Sequence, residues 1–323
     1  MITLTESFRK VHYGLRPAKQ VERRMIIDAL LLLAEAGFSV RDYHYLGMGS
    51  IHFVDFAMIH KFLGILKMTS VEASPKVIDR IEFNRPYRNA VETIVGKEIG
   101  DILSNIEENT KYLVWLDYDN VLSEYMIRDI ILSMSKLASG SILLVTIDTE
   151  PPMSVDETGE HGMTLVETKA YFEAQAGPYL SRFSKDEDYL YDNLPKVTME
   201  AVQGAIRNGL TGISHKKFIP LFNFLYKDTN RMLTVGGMVG GRSEKRKIRR
   251  SRLQGTGYAR FDLSAEPCHI FVPPLTRKEV LCLESYMPAP DDRRPKEFEL
   301  SEEDVSQFRQ IYRFFPTYAE LFL

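Results

Sequence analysis

The chain has 323 residues, 44% of them hydrophobic, and a formal net charge of −3. That size can bury a large core and suits one catalytic domain with elaborations, while the mild acidity excludes a surface that attracts nucleic acid as a whole. The longest apolar run, 26–34, is far short of a membrane span, and the first residues lack a basic start followed by an apolar core. With Cys268 and Cys282 as the only cysteines, a cytoplasmic protein that crosses no membrane is expected.

Residues 19–36 place Val21, Met25, Ile26, Ala29, Leu30, Leu33 and Ala34 at helical spacing, and Gly37 stops the run. Arg16, Lys19, Arg23 and Arg24, with Tyr13 beside them, form a basic group at its start, placed to reach over a ligand or to face water. Strands are expected at 43–46, 68–72, 112–117 and 141–148, with a shorter one at 91–95 and segments able to form helices between them. Such alternation predicts a parallel sheet. The first strand runs into Gly47-Met48-Gly49-Ser50, where two glycines allow a tight turn against a ligand and Ser50 starts a helix through Phe53, Phe56, Ile59 and Phe62. Glu72 closes the second strand 23 residues after Gly49, near the roughly 20-residue offset at which an acid meets a ribose diol. Together these residues predict a site for an adenosine-containing cofactor, with Asp101, after Gly96, near the adenine. The plainer alternative is a strand-to-helix turn that holds no ligand.

After Glu150-Pro151-Pro152 the pattern changes. Residues 153–228 read as a mostly helical insertion or lid whose Tyr171, Phe172, Tyr179, Tyr189 and Tyr191 line an acceptor pocket or fill the insertion's own core. Trp115, Met126 and Met134 suit core packing. Strands return at 232–239 and 269–272 as a late antiparallel pair, joined by a glycine-flanked run, 240–252, that carries seven cations and one acid. The run is expected to be a mobile loop that neutralises phosphates of a nucleotide, RNA or DNA through Lys245, Arg246, Arg249 and Arg250, or else a merely solvated one. The tail holds two helices, opened by Thr276 with Glu279 and by Ser301 with Asp304, and followed by Pro288 and Pro316. The units expected are therefore a helical segment at 1–42, a Rossmann-like α/β core at 43–150, the insertion at 151–228, returning strands with the basic loop at 229–273, and a helical tail at 274–323.

Through "GLRPAKQVERR", "YLGMGSIHFVDF", "VWLDYDN", "LTVGGM" and "PPLTRKEV", nearly the whole chain resembles a bacterial O-methyltransferase family with the Rossmann-like fold of class I AdoMet-dependent methyltransferases. The resemblance implies S-adenosyl-L-methionine (AdoMet) held by Gly47, Gly49, Ser50 and Glu72, and a methyl acceptor of unknown identity that presents an oxygen. It also implies that Asp117, at a strand end beside Asp119, orients or deprotonates the acceptor hydroxyl. Asp117 and Asp148, with Asp119 and Glu150 nearby, are hard oxygen ligands suited to Mg²⁺, as in catechol-type O-methyltransferases. Against that, Asp119 capping the next helix and Glu150 facing water need no metal. Two departures from the wider pattern stand out: His44 and Tyr45 replace the acid that commonly precedes the turn, and Phe53 and Val54 stand where a third glycine would come. They leave open a degenerate fold acting as a nucleic-acid or protein-binding module. "VWLDYDNVL" also resembles the first motif of haloacid dehalogenase-type phosphatases, with Asp117 as nucleophile, Asp119 as acid and base, and Thr146 as second motif. That reading leaves 47–72 idle, finds no convincing lysine motif, and puts Asp291-Asp292 after a proline-rich turn rather than a strand.

Overall fold

Residues 112–116 and 142–148 are buried without a break, and such runs belong in the middle of a parallel sheet covered on both faces. The computed structural model describes residues 16–156, 159–182, 184–288 and 299–317; Tyr13 and Asp291-Asp292 lie outside the described residues. In the parallel part of the sheet β1 (His44–Met48) lies between β2 (Lys67–Glu72) and β4 (Tyr112–Val121), with β3 (Val91–Val95) beyond β2 at the edge and β5 (Ile142–Asp148) beyond β4. Next to β5, β9 (Arg231–Gly240) runs antiparallel, β8 (Lys217–Lys227) pairs antiparallel with β9, and β10 (Cys268–Ile270) closes the far edge parallel to β8. The expected Rossmann-like α/β sheet with a late antiparallel strand pair is present.

The partners within that pair differ from expectation. β9 pairs with β8, which lies in the segment expected to be helical, and β10 is parallel to β8 rather than antiparallel to β9. β8 is apolar at most positions and so lacks the period-2 signal, and its Pro220 adjoins a register shift, where a missing N–H is tolerated. The elements between β5 and β8 are thus a hairpin of β6 (Met153–Asp156) and β7 (Gly159–Gly162) with the helices α6 (Leu165–Ala176) and α7 (Leu194–Gly209).

Helix α1 (Pro17–Glu35) and α2 (Val54–Leu63) cover one face of the sheet, where Val21, Met25, Leu30 and Leu33 pack with Leu113, Trp115, Ile142 and Leu144. The other face carries Val114, Leu116, Leu143 and Val145 against α5 (Glu124–Lys136) and α7. Phe172 and Tyr189 belong to that second core, as do Met126 and Met134. The start of α1 is fixed from afar: the carboxylate of Asp228, in the β8–β9 turn, accepts the N–H groups of Ala18 (2.9 Å) and Lys19 (3.1 Å), two of the donors a helix start leaves unpaired. Helix α2 begins at Val54 rather than at Ser50.

The basic run is a helix, α8 (Arg242–Arg250), not the expected mobile loop. Arginine and lysine are good helix formers, Glu244 accepts the Gly241 N–H (2.8 Å) to close the first turn, and buried Ile248 pins the helix to the core. Helices α9 (Arg277–Ser285) and α10 (Glu302–Ile311) form the tail, capped by Thr276 and Ser301 as their spacing predicts. No helix among the described residues is long and apolar enough to cross a membrane.

Candidate functional site

The carboxyl ends of β1, β2 and β4 meet at one edge of the sheet. There the Gly49 N–H donates to the Val71 carbonyl, and a Cβ on Gly49 would fall 2.8 Å from the Glu72 Cβ and 2.9 Å from that carbonyl oxygen. Two features far apart in the sequence are therefore in direct contact. Gly49 does not take a left-handed conformation; the room it provides is filled by the end of β2 rather than reserved for a ligand. A Cβ on Gly47 would meet the hydroxyl of buried Tyr45 at 2.6 Å. Ser50 stays in the turn, its Oγ accepting the His52 N–H (3.3 Å), and Phe53 takes a strained left-handed φ of 47° as the turn enters α2. Half-buried Glu72 accepts the Ser74 N–H at Oε1 (2.9 Å), and its carbonyl accepts from Gly96 (2.8 Å), which brings the end of β3 alongside. Gly49→Val is expected to lower stability by about 1–3 kcal/mol without any cofactor, because the new side chain overlaps β2; an unchanged melting curve would show that the turn yields.

Beneath this turn lies an ionic cluster that α1 delivers. Lys19 is fully buried, its ammonium 2.7 Å from Asp117 and 2.9 Å from Glu22, and it sits over the Trp115 ring (4.7 Å to the centroid). Burial acts to discharge Lys19, but Asp117 and then Glu22 outweigh it, so its pKa is raised. Burial likewise favours neutral Asp117, yet Lys19 first, then Arg23 and Arg16, hold its carboxyl below the usual range. Glu22 is pushed up by burial against the pull of Lys19, and it accepts from Thr234, which in turn shares a hydrogen bond with Thr146 (2.8 Å). Buried Arg23 pairs with Asp55 in the first turn of α2, and its Nη1 has no hydrogen-bond partner among the described residues. Lys19, expected to contact substrate or phosphate, is thus enclosed in the protein's own ion pairs; Arg16 faces Asp117, Asp119 and Asp228 and lies 3.7 Å from the last.

The remaining carboxylates are spread rather than gathered. β4 continues past Asp117 to Val121, so exposed Asp119 is a strand residue, and Ser123 is the cap position of α5. Asp148 accepts from the Glu150 N–H (2.7 Å) and from Asn230 (2.5 Å), and burial raises its pKa. Glu150 is taken up by the Arg231 N–H (3.0 Å) and Lys227 (3.1 Å). Among the described residues no group of three or more His, Cys, Asp or Glu side chains is placed to hold a metal ion, and the Asp117 oxygen expected to ligate Mg²⁺ is occupied by Lys19. Asp101 lies exposed in the first turn of α4 (Ile99–Leu103), within electrostatic reach of Asp129 on α5. Thr146, the second motif of the phosphatase reading, is buried between Trp115 (3.1 Å) and Thr234. Lys245, Arg246, Arg249 and Arg250 sit at the opposite edge of the sheet, beyond the end of β9. The sequence reading passed over Glu22 and Asp55; only the three-residue spacing of Lys19 and Glu22 on one helix signalled a pair.

Similar solved structures include a fibrillarin pre-rRNA processing protein from Methanococcus jannaschii, with 11% identity over 62% of this chain and 68% of that one, at a TM-score of 0.37. An O-methyltransferase family protein from Burkholderia thailandensis matches with 12% identity over 68% and 57%, at 0.35. The N-methyltransferase NodS from Bradyrhizobium japonicum, in complex with S-adenosyl-L-homocysteine, matches with 10% identity over 67% and 86%, at 0.34. None of the curated proteins matches the chain. A family model does, from residue 11 to residue 323, and by that match the chain belongs to the family described as "Putative O-methyltransferase".

Proposed function

We propose that this protein transfers a methyl group from AdoMet to an oxygen acceptor at the carboxyl edge of its sheet. The observation that carries the reading is the contact of the Gly49 turn with Glu72, which puts a close-packed glycine turn and a half-buried carboxylate together at the carboxyl edge of a Rossmann-like sheet. The unpartnered Nη1 of Arg23 is a buried donor suited to the cofactor's carboxylate, and Glu72 is suited to the ribose diol. When bound, the cofactor supplies an electrophilic methyl group together with its leaving group. The protein must orient the acceptor oxygen and take its proton. Asp117, kept ionised by Lys19, is a weak base and serves to orient the hydroxyl; Asp119, two residues on and exposed, takes the proton.

A second reading, the same fold as a binding module without catalysis, is favoured by the Lys19–Asp117 ion pair, which already engages the carboxylate nearest the acceptor. Calorimetric titration with AdoMet and its demethylated product tests the site, and saturable binding is expected for both. Asp117→Asn should bind AdoMet as the wild type does and lose transfer. No heat from either ligand would remove the cofactor assignment, whereas binding with no transfer across a panel of hydroxyl acceptors would favour the second reading.

A further inference from the structure

The structure has a cavity remote from the proposed cofactor edge. It lies where β9 ends and β8 begins, about 20 Å along the sheet from Asp117, given roughly 3.3 Å per strand residue and the register Asp117–Thr146 and Ile142–Met238. Its volume is about 880 Å³, within the usual range for sites that enclose a small molecule. One part of the wall is apolar, with Phe218, Ile219, Pro220 and Phe261; another carries Lys217, Arg242, Lys245 and Arg249.

The cations of α8 divide by direction. Lys247 donates to the Gly37 carbonyl (3.2 Å) and Arg252, just past the helix, pairs with Glu35 (3.4 Å), so the cations on the side toward α1 are engaged by the protein itself. Lys217, Arg242, Lys245 and Arg249, which line the cavity, have no ion-pair partner among the described residues. Arg246 and Arg250 do not line it and form a solvated face. Glu244, in the first turn of α8, accepts the N–H of the preceding Gly241 and sets a negative charge at the helix start, so an anion here is held by side chains rather than by the helix end. Half-buried Phe261, packed on the same core as Ile248 of α8, leaves ring surface exposed on which a planar group can stack.

We propose that this cavity is a second ligand site that takes a nucleotide-sized molecule, its phosphate on Lys245, Arg249 and Arg242 and its ring against Phe261. Charge-assisted contacts from several cations fix the phosphate, and stacking requires the base, so neither part alone should bind as well. The test titrates the full-length protein with adenosine and guanosine 5′-monophosphate, inorganic phosphate, the free nucleosides and a single-stranded oligonucleotide. Saturable nucleotide binding is expected, with phosphate and nucleoside each at least tenfold weaker. Lys245→Ser/Arg249→Ser and, separately, Phe261→Leu should each weaken the nucleotide at least tenfold, while Arg246→Ser/Arg250→Ser should not. All variants should retain the wild-type melting curve and AdoMet affinity, which separates this site from the one at the other edge. Absence of nucleotide binding, indifference to Phe261→Leu, or an oligonucleotide that binds more tightly than the nucleotides and depends equally on both cation pairs would overturn the proposal.

Discussion

Lys19→Met is expected to destabilise the protein by about 3–5 kcal/mol, because it strands buried Glu22 and half-buried Asp117, the two carboxylates that the ammonium now neutralises. The melting temperature should drop by roughly 10 °C. The pH dependence has a definite sign. Asp117 titrates below its ordinary value in the folded state, so its contribution is present above the unfolded value of about 4 and is lost as the pH falls through the folded one. Lys19 titrates above its ordinary value, so its contribution is present below about 10.4 and is lost only as the pH rises through a still higher folded value. Glu22, raised by burial, acts in the opposite sense to Asp117 and makes the unpaired variant recover as it takes up a proton. The gap between wild type and variant should therefore be widest near neutrality and narrow toward pH 4. Urea melts across that range measure it, and a gap independent of pH would show that lost packing, not lost charge, is responsible.

Glu72→Ala should leave the fold intact and weaken AdoMet about 100-fold, since hydrogen bonds to a charged group contribute roughly 1.5–3 kcal/mol each and 1.4 kcal/mol is a factor of ten. Oε1 already serves the Ser74 N–H, which tempers the effect expected from two ideal bonds to a diol and adds a small stability loss from the freed amide. Isothermal titration of a variant with a cooperative melt decides the matter. Unchanged affinity would mean that the carboxylate only braces the turn after β2.

The parallel core was legible because its strands are short apolar runs separated by helical stretches, and β3 was placed at 91–95 from that alternation alone. β8 was not, since a strand buried on both sides has no alternation and its internal proline imitates a break. The basic helix was concealed because flexibility was inferred from Gly240-Gly241, while the cue that mattered was Glu244, three residues beyond Gly241. In the site, Gly49 and Glu72 announced each other by spacing. The pairing of Lys19 with Asp117 had no such signal: the residues are 98 positions apart, and Asp117 was expected to face an acceptor and Lys19 a ligand or water rather than each other.

Helix α1 serves both the core and the candidate site: Val21, Met25, Leu30 and Leu33 are sealed against the sheet, while Lys19 and Arg23, on the same few turns, set the charge beneath the glycine turn at the sheet's carboxyl edge. With Arg23 holding the cofactor as proposed, recognition and folding become thermodynamically linked through one element. A ligand that engages Arg23 draws its affinity partly from the docking of α1, so bound cofactor should slow amide exchange along the whole helix, well beyond the residues it touches. For the same reason, substitutions that loosen the packing of α1 far from the site reduce affinity in proportion to the undocked fraction.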